Sequence, residues 1–151
     1  MTQQSPLIGI AFREKAFAPM QTVDQIYISK AHGTGQDSRG KPGKRQVTLL
    51  SLQHWKDACN EIQMPLDWTA RRSNLLVESL TLENTREQFL CCGDVILQIT
   101  GDTDPCSRMR DIHPKLFDAL NQHWRGGVNC RVIREGQLKL NECFTLTDTL
   151  P

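Results

Sequence analysis

Three stretches of this 151-residue chain carry side chains that could do chemistry. The first is TGDTDPCSRM at positions 100–109, where Cys106 follows a proline just beyond the apolar run VILQIT. A cysteine used only for packing belongs inside such a run. This one stands in a polar loop, with Asp104 and Ser107 beside it and Arg108 and Arg110 close behind. Pro105 fixes the chain direction and has no N–H to satisfy. Neighbouring guanidinium groups favour a thiolate, the form of sulfur that attacks an electrophile, carries a second sulfur atom or ligates a soft metal. Cys106 is therefore expected at the mouth of a pocket and to be the most reactive thiol.

The second stretch is RRSN, residues 71–74, directly ahead of the apolar run LLV. Adjacent arginines can be a solvated charge pair. They can also clamp phosphate, because a guanidinium offers two parallel donors matched to phosphate oxygens. Asn74 adds an amide that both donates and accepts. The third stretch, GTGQDSRGKPGKR (33–45), has no apolar residue, four glycines and four basic side chains. It reads either as an exposed flexible loop or as a binding loop. In the second case open backbone amides at Gly40 and Gly43, surrounded by Arg39, Lys41, Lys44 and Arg45, would make an anion-binding concavity. Its spacing is not that of a P-loop.

The elements that must position these residues are mostly short strands. Strand-like patterns occur at LIGIAF (7–12), VDQIYIS (23–29), QVTLLS (46–51), NLLVESL (74–80), VILQIT (95–100) and VNCRVIRE (128–135), then at QLKL and ECFTL between 137 and 146. In VNCRVIRE, Val128, Cys130 and Val132 share one face. Two segments have helical periodicity. SLQHWKDACNEI places Leu52, Trp55, Cys59 and Ile62 on one side with Ser51 as an N-cap, and HPKLFDALNQHW places Pro114 in a first turn, with Gly126-Gly127 as the stop. Many short strands with few helices predict a mainly β, barrel-like domain over residues 1–151 with two or more peripheral α-helices.

Composition narrows the function. At 38% hydrophobic and 23% charged residues the chain has the makeup of a globular domain. Its net charge of +1 gives no global attraction to nucleic acid or to a membrane, so any anion site must be local. Apolar runs are too short to span a bilayer, and MTQQSPLIGIAF lacks the pattern of a signal peptide, which predicts a cytoplasmic protein. The six cysteines include no CxxC pair, so a zinc cage is not expected and most of them should be reduced, buried, small hydrophobes.

In order, the basic loop running into RQVTLLS, then RRSNLLVESL, GDVILQITGDTDPCSRM and WRGGVNCRV resemble a stand-alone MOSC domain, the module named for the C-terminal region of molybdenum cofactor sulfurase. The likeness spans roughly residues 8–140, and its most specific piece runs from Gly93 to Cys106. It implies a β-barrel-like fold whose signature cysteine is Cys106. In amidoxime-reducing relatives that cysteine ligates the molybdenum of a pterin cofactor, while the arginine and asparagine matching Arg72 and Asn74 help to hold it. Arg71 joins that set, and Lys44 and Arg45 match the loop near the pterin phosphate approximately. Asn141-Glu142 replaces a Gly-Asp turn of the family.

The resemblance implies a molybdenum-cofactor protein that reduces N-hydroxylated small molecules, with Cys106 as metal ligand. The chain carries no flavin or iron–sulfur module, so electrons would come from a separate donor protein. A rival reading makes Cys106 a sulfur carrier, loaded as a persulfide from a sulfur-donor protein.

Overall fold

The computed structural model describes residues 2–151. The chain runs β1 (Gln3–Phe12), β2 (Gln21–Thr22), β3 (Gln25–Ser29), β4 (Gly33–Thr34), β5 (Val47–Ser51), α1 (Leu52–Ile62), a 3-10 turn (Trp68–Arg71), β6 (Leu75–Val77) and β7 (Phe89–Cys92). It continues with β8 (Val95–Asp102), α2 (Arg108–Ile112), α3 (Leu116–Leu120), β9 (Val128–Arg134), β10 (Gly136–Lys139) and β11 (Cys143–Thr147). Seven strands in the order β11-β7-β8-β9-β5-β6-β1 close into a barrel, because β1 pairs back onto β11. Closure leaves no exposed edge among them. The mainly β, barrel-like expectation holds, with three helices among the described residues.

Alternation along β5 and β6 shows how two cores share one wall. Side chains on a strand point to opposite faces in turn. Leu49, Leu75 and Val77 therefore lie in the barrel interior, while Leu50 and Leu76 face outward and pack with Trp55, Ala58 and Leu116. Burial on both faces explains why β5 and β6 carry consecutive leucines, Leu49-Leu50 and Leu75-Leu76. They form the one parallel pairing among the described strands, with α1 in the crossover between them. Trp55 also donates its indole N–H to the Leu66 carbonyl at 2.9 Å, which ties α1 to the loop leading toward Arg71. As expected, Val128, Cys130 and Val132 share the inner face of β9.

Some expectations need correction. The helix expected over HPKLFDALNQHW (113–124) shrinks to α3, and a separate short helix, α2, lies just before it. The residue before a proline is disfavoured in helical conformation. His113 is accordingly extended (φ −157°, ψ 135°), and the chain breaks at Pro114. The second helix ends at Leu120, well before the glycines. Ser51 stands at the start of α1, but its hydroxyl accepts from the Leu80 N–H instead of capping the helix. β7 had no counterpart in the sequence reading. No helix among the described residues is long and apolar enough to cross a membrane.

The two leucine environments give a direct check. Leu49 is wholly buried in the barrel and Leu150 is exposed. Leu49→Ala should lower unfolding free energy by about 2–5 kcal/mol in urea titrations. Leu150→Ala should stay within about 0.5 kcal/mol of the wild type.

Candidate functional site

One end of the barrel gathers the chain leaving β1 and β8 with the chain entering β5, β6 and β9. There the backbone encloses a cavity of ≈ 480 Å³ whose wall includes Arg13, Arg45, Arg71, Arg72, Asn74 and Cys106. The loop bearing Cys106 is pinned at its first residue. The Thr103 N–H donates to the Gly127 carbonyl at 2.8 Å, its hydroxyl donates to Asn129 Oδ1 at 2.8 Å, and its carbonyl accepts from Arg71 Nη2 at 2.9 Å. Pro105 is buried and Cys106 is exposed. The proline thus anchors the loop and leaves the sulfur free on the cavity wall.

Arg71 and Arg72 have different partners. Arg71 is buried and gives Nε to the Gly126 carbonyl at 3.1 Å as well as Nη2 to Thr103. Gly126 permits this approach, since a β-carbon there would come within 2.7 Å of the Thr103 carbonyl and 3.0 Å of Arg71 Nη2. Burial pulls the Arg71 guanidinium down to about 10, with Cys106 partly offsetting the loss, so it stays charged at neutral pH. Arg72 adopts a left-handed backbone (φ 63°) that ends the 3-10 turn. Its Nη1 is buried in the cavity wall with no partner.

Asn74 is committed within the protein. Its Oδ1 accepts from the Thr48 N–H and hydroxyl at 3.1 and 3.3 Å, and its Nδ2 donates to the Ala11 carbonyl at 3.1 Å and to Asp37 Oδ2 at 3.2 Å. Both amide hydrogens are used, so Asn74 builds the wall and offers a ligand no donor. Asp37 also accepts from the backbone N–H groups of Arg13 and Arg39, at 3.1 and 2.9 Å, which fastens the basic loop to the end of β1.

That loop contributes selectively. Arg39 and Arg45 line the cavity, whereas Lys44 does not, and its carbonyl accepts from the Thr100 hydroxyl. The Gly40 N–H donates to the Asp37 carbonyl, so it is not an open anion donor. Gly40 is needed for space, since a β-carbon would lie 1.7 Å from the His32 carbonyl oxygen.

Arg13 went unread in the sequence, yet it completes the site. It follows β1, is buried, and like Arg72 and Arg108 has a buried Nη1 with no partner. Burial lowers its pKa, and the nearby charges of Arg39 and Arg108 lower it further. Six arginines and two aspartates line a cavity in a chain whose net charge is only +1. The ion pairs among the described residues, His123–Glu83 and Arg125–Glu61, lie elsewhere. An unpartnered buried donor costs about 1–3 kcal/mol, and three of them belong to residues that line this one cavity.

A model of the MOSC domain family matches residues 29–143. The chain belongs to the MOSC domain family. That family is associated with molybdenum-cofactor binding. The fold of this MOSC protein is similar to that of the YuaD protein from Bacillus subtilis, at a TM-score of 0.81 and 15% identity over 99% of both chains. YiiM from Escherichia coli is also similar, with a TM-score of 0.74 and 15% identity over 98% of this chain and 71% of that one. YiiM from Geobacillus stearothermophilus gives 0.66 and 17% over 96% and 75%. At such identities the likeness shows the fold alone. No curated protein matches the sequence.

Among the described residues no group of three or more His, Cys, Asp or Glu side chains is arranged to hold a metal. The orphaned guanidinium nitrogens fit the phosphate of a pterin cofactor, and Cys106 could offer its metal a single sulfur. Exposure alone does not single out Cys106, because Cys143 is exposed too. Burial pushes Cys92 up to about 12 and raises Cys59, Cys91 and Cys130 as well.

Limiting iodoacetamide followed by peptide mapping should therefore label Cys106 and Cys143 first. Millimolar phosphate should slow labelling of Cys106 and leave Cys143 unchanged. Equal protection of both thiols, or of neither, would detach the anion cavity from Cys106. Asn74→Ala, which strands partners in a buried network, should lower stability by about 1–3 kcal/mol in urea titrations, a loss Arg72→Ala should not show.

Proposed function

We propose that this MOSC protein binds a pterin-bound molybdenum cofactor, with Cys106 as the protein ligand to the metal, and reduces N-hydroxylated small molecules. The observation that carries the reading is the set of partnerless Nη1 nitrogens on Arg13, Arg72 and Arg108 in the same wall as an exposed thiol. A tetrahedral phosphate with several oxygens is the kind of ligand that answers several separate guanidinium donors.

The residues divide the work. Arg13, Arg72 and Arg108 would hold the phosphate, with Arg39 and Arg45 adding positive potential at the loop. Arg71 fixes the cysteine loop through Thr103 and keeps the sulfur of Cys106 on the wall. Asn74 and Asp37 hold the ends of β1 and β5 in place. When bound, the cofactor supplies the redox chemistry, and the protein supplies position and electrostatics. In the overall reaction the N–O bond breaks and oxygen leaves as water. Two electrons and two protons are consumed, the electrons coming from a separate donor protein.

A sulfur carrier would need the exposed Cys106 but gives three partnerless arginines nothing to do. Losing a charge-assisted contact removes about 1.5–3 kcal/mol. Molybdenum and pterin retained by Arg72→Ala at limiting cofactor should thus correspond to an affinity lower by roughly 10- to 150-fold. Arg72→Lys should recover part, because an ammonium restores the charge without the planar fork. Full cofactor content in Arg72→Ala would overturn the reading. Cofactor-free protein whose intact mass carries one extra sulfur on Cys106 would favour the carrier.

A further inference from the structure

A second hollow of ≈ 520 Å³ adjoins the arginine-lined cavity. The two share Met20, Arg72, Arg108 and Met109, so they form one continuous depression with a junction at the two arginines. Beyond the junction the lining changes character. Phe17, Pro19, Ala70 and Ile112 make it apolar, and Asp67 and Asp111 supply carboxylates that do not reach the first cavity.

Phe17 is the unusual residue here. The residue is 76% exposed and its backbone is left-handed (φ 67°). Exposing a large aromatic and placing an L-residue in that conformation are each unfavourable, and such combinations concentrate at ligand sites. The Arg108 guanidinium lies over the ring, 4.5 Å from its centroid. That arginine also lines both hollows and keeps Nη1 buried without a partner. The segment from Arg13 to Met20 thus serves both hollows, with a cation at one end and an aromatic platform near the other.

The charges define a complement. Arg72 and Arg108 stand at the junction, while neither Asp67 nor Asp111 has a cationic side chain within ion-pair distance among the described residues. Asp67 is partly engaged, accepting from the Thr69 N–H and hydroxyl, and both carboxylates are on exposed residues. A ligand matching this order has an oxygen-bearing polar end at the arginines, a flat apolar body against Phe17 and Met20, and a protonated amine at the carboxylates. We propose that this annex is a ligand subsite for small aromatic ammonium compounds that direct an oxygenated group toward the Cys106 cavity. Its role as the substrate subsite rests on the proposed reductase function, whereas the binding itself does not.

Tyramine is a suitable probe, since it carries a phenol, a flat ring and an ammonium but nothing reducible. In buffer without phosphate, which leaves the arginines at the junction open, calorimetric titration should show tyramine binding to the wild type. Phe17→Ala should weaken it about tenfold or more. Asp111→Asn should weaken tyramine without weakening 4-hydroxyphenylacetate, the same body with the opposite charge, because it removes an attraction for the first and a repulsion for the second. No tyramine binding at millimolar concentration, or equal binding in the wild type and both variants, would overturn the subsite. Molybdenum content should be the same in Phe17→Ala and the wild type. Its absence from every variant would sink the cofactor reading and leave the subsite to be judged on tyramine alone.

Discussion

The buried guanidinium of Arg71 is the constraint on which the site depends. A charge withdrawn from water must find other dipoles, and removing the partners of a buried charge is costly. Here the partners are main-chain carbonyls of Thr103 and Gly126, one on the chain leaving β8 and one on the chain approaching β9. These strands are neighbours in the barrel, and the 3-10 turn bearing Arg71 leads into β6. One side chain therefore joins the RRSN segment, the proline–cysteine loop and the double-glycine turn. Since a main-chain carbonyl brings no formal charge, the interaction orders the loops without cancelling the positive charge of the cavity. Any residue larger than glycine at position 126 would occupy the space that Arg71 needs.

Around that anchor, polar groups divide by whether their donors are already committed. Asn74 and Arg71 look like ligand-binding residues in sequence, yet their hydrogen bonds run to other parts of the protein. Arg72 is next to Arg71 in sequence but keeps a buried nitrogen in reserve, because the left-handed turn at Arg72 sends consecutive side chains to different surroundings. Asp37 is the counterweight. Its oxygens accept from backbone and amide N–H groups, so it shapes the loop, and its charge raises the Arg13 pKa against the repulsion of Arg39 and Arg108.

Much of this architecture was legible in the sequence because strand alternation reports which face is buried. Val128, Cys130 and Val132 declared the inner face of β9. The cysteine loop was legible because a proline–cysteine pair in polar surroundings has no packing explanation. Other features depended on distance in space. Nothing in FREKAF says that Arg13 is buried, since that follows from loop 33–45 folding over the end of β1 through Asp37. Composition could not separate Arg45 from Lys44, because which of two neighbouring side chains lines the cavity depends on how the chain enters β5. The short β7 carries too few residues to declare a period, and only its pairing with β8 and β11 makes it a strand.

The position of Cys106 follows from the same logic of burial. A sulfur inside the barrel, such as that of Cys130, is surrounded by apolar groups that hold it in the neutral thiol form. It can pack but has no route to a ligand. A sulfur in the loop after β8 can be exposed, as Cys106 is, yet a free loop would not hold it in place on the cavity wall. Pro105 and Thr103 resolve the conflict by burying the loop's base while its tip stays exposed. The arginines meet the opposite demand, since a donor strengthens its hold on an anion as water is excluded. The cavity accordingly combines desolvated nitrogens on Arg13, Arg72 and Arg108 with an accessible sulfur on Cys106. A ligand that satisfies both must reach from a charged, oxygen-rich end to a centre that accepts sulfur.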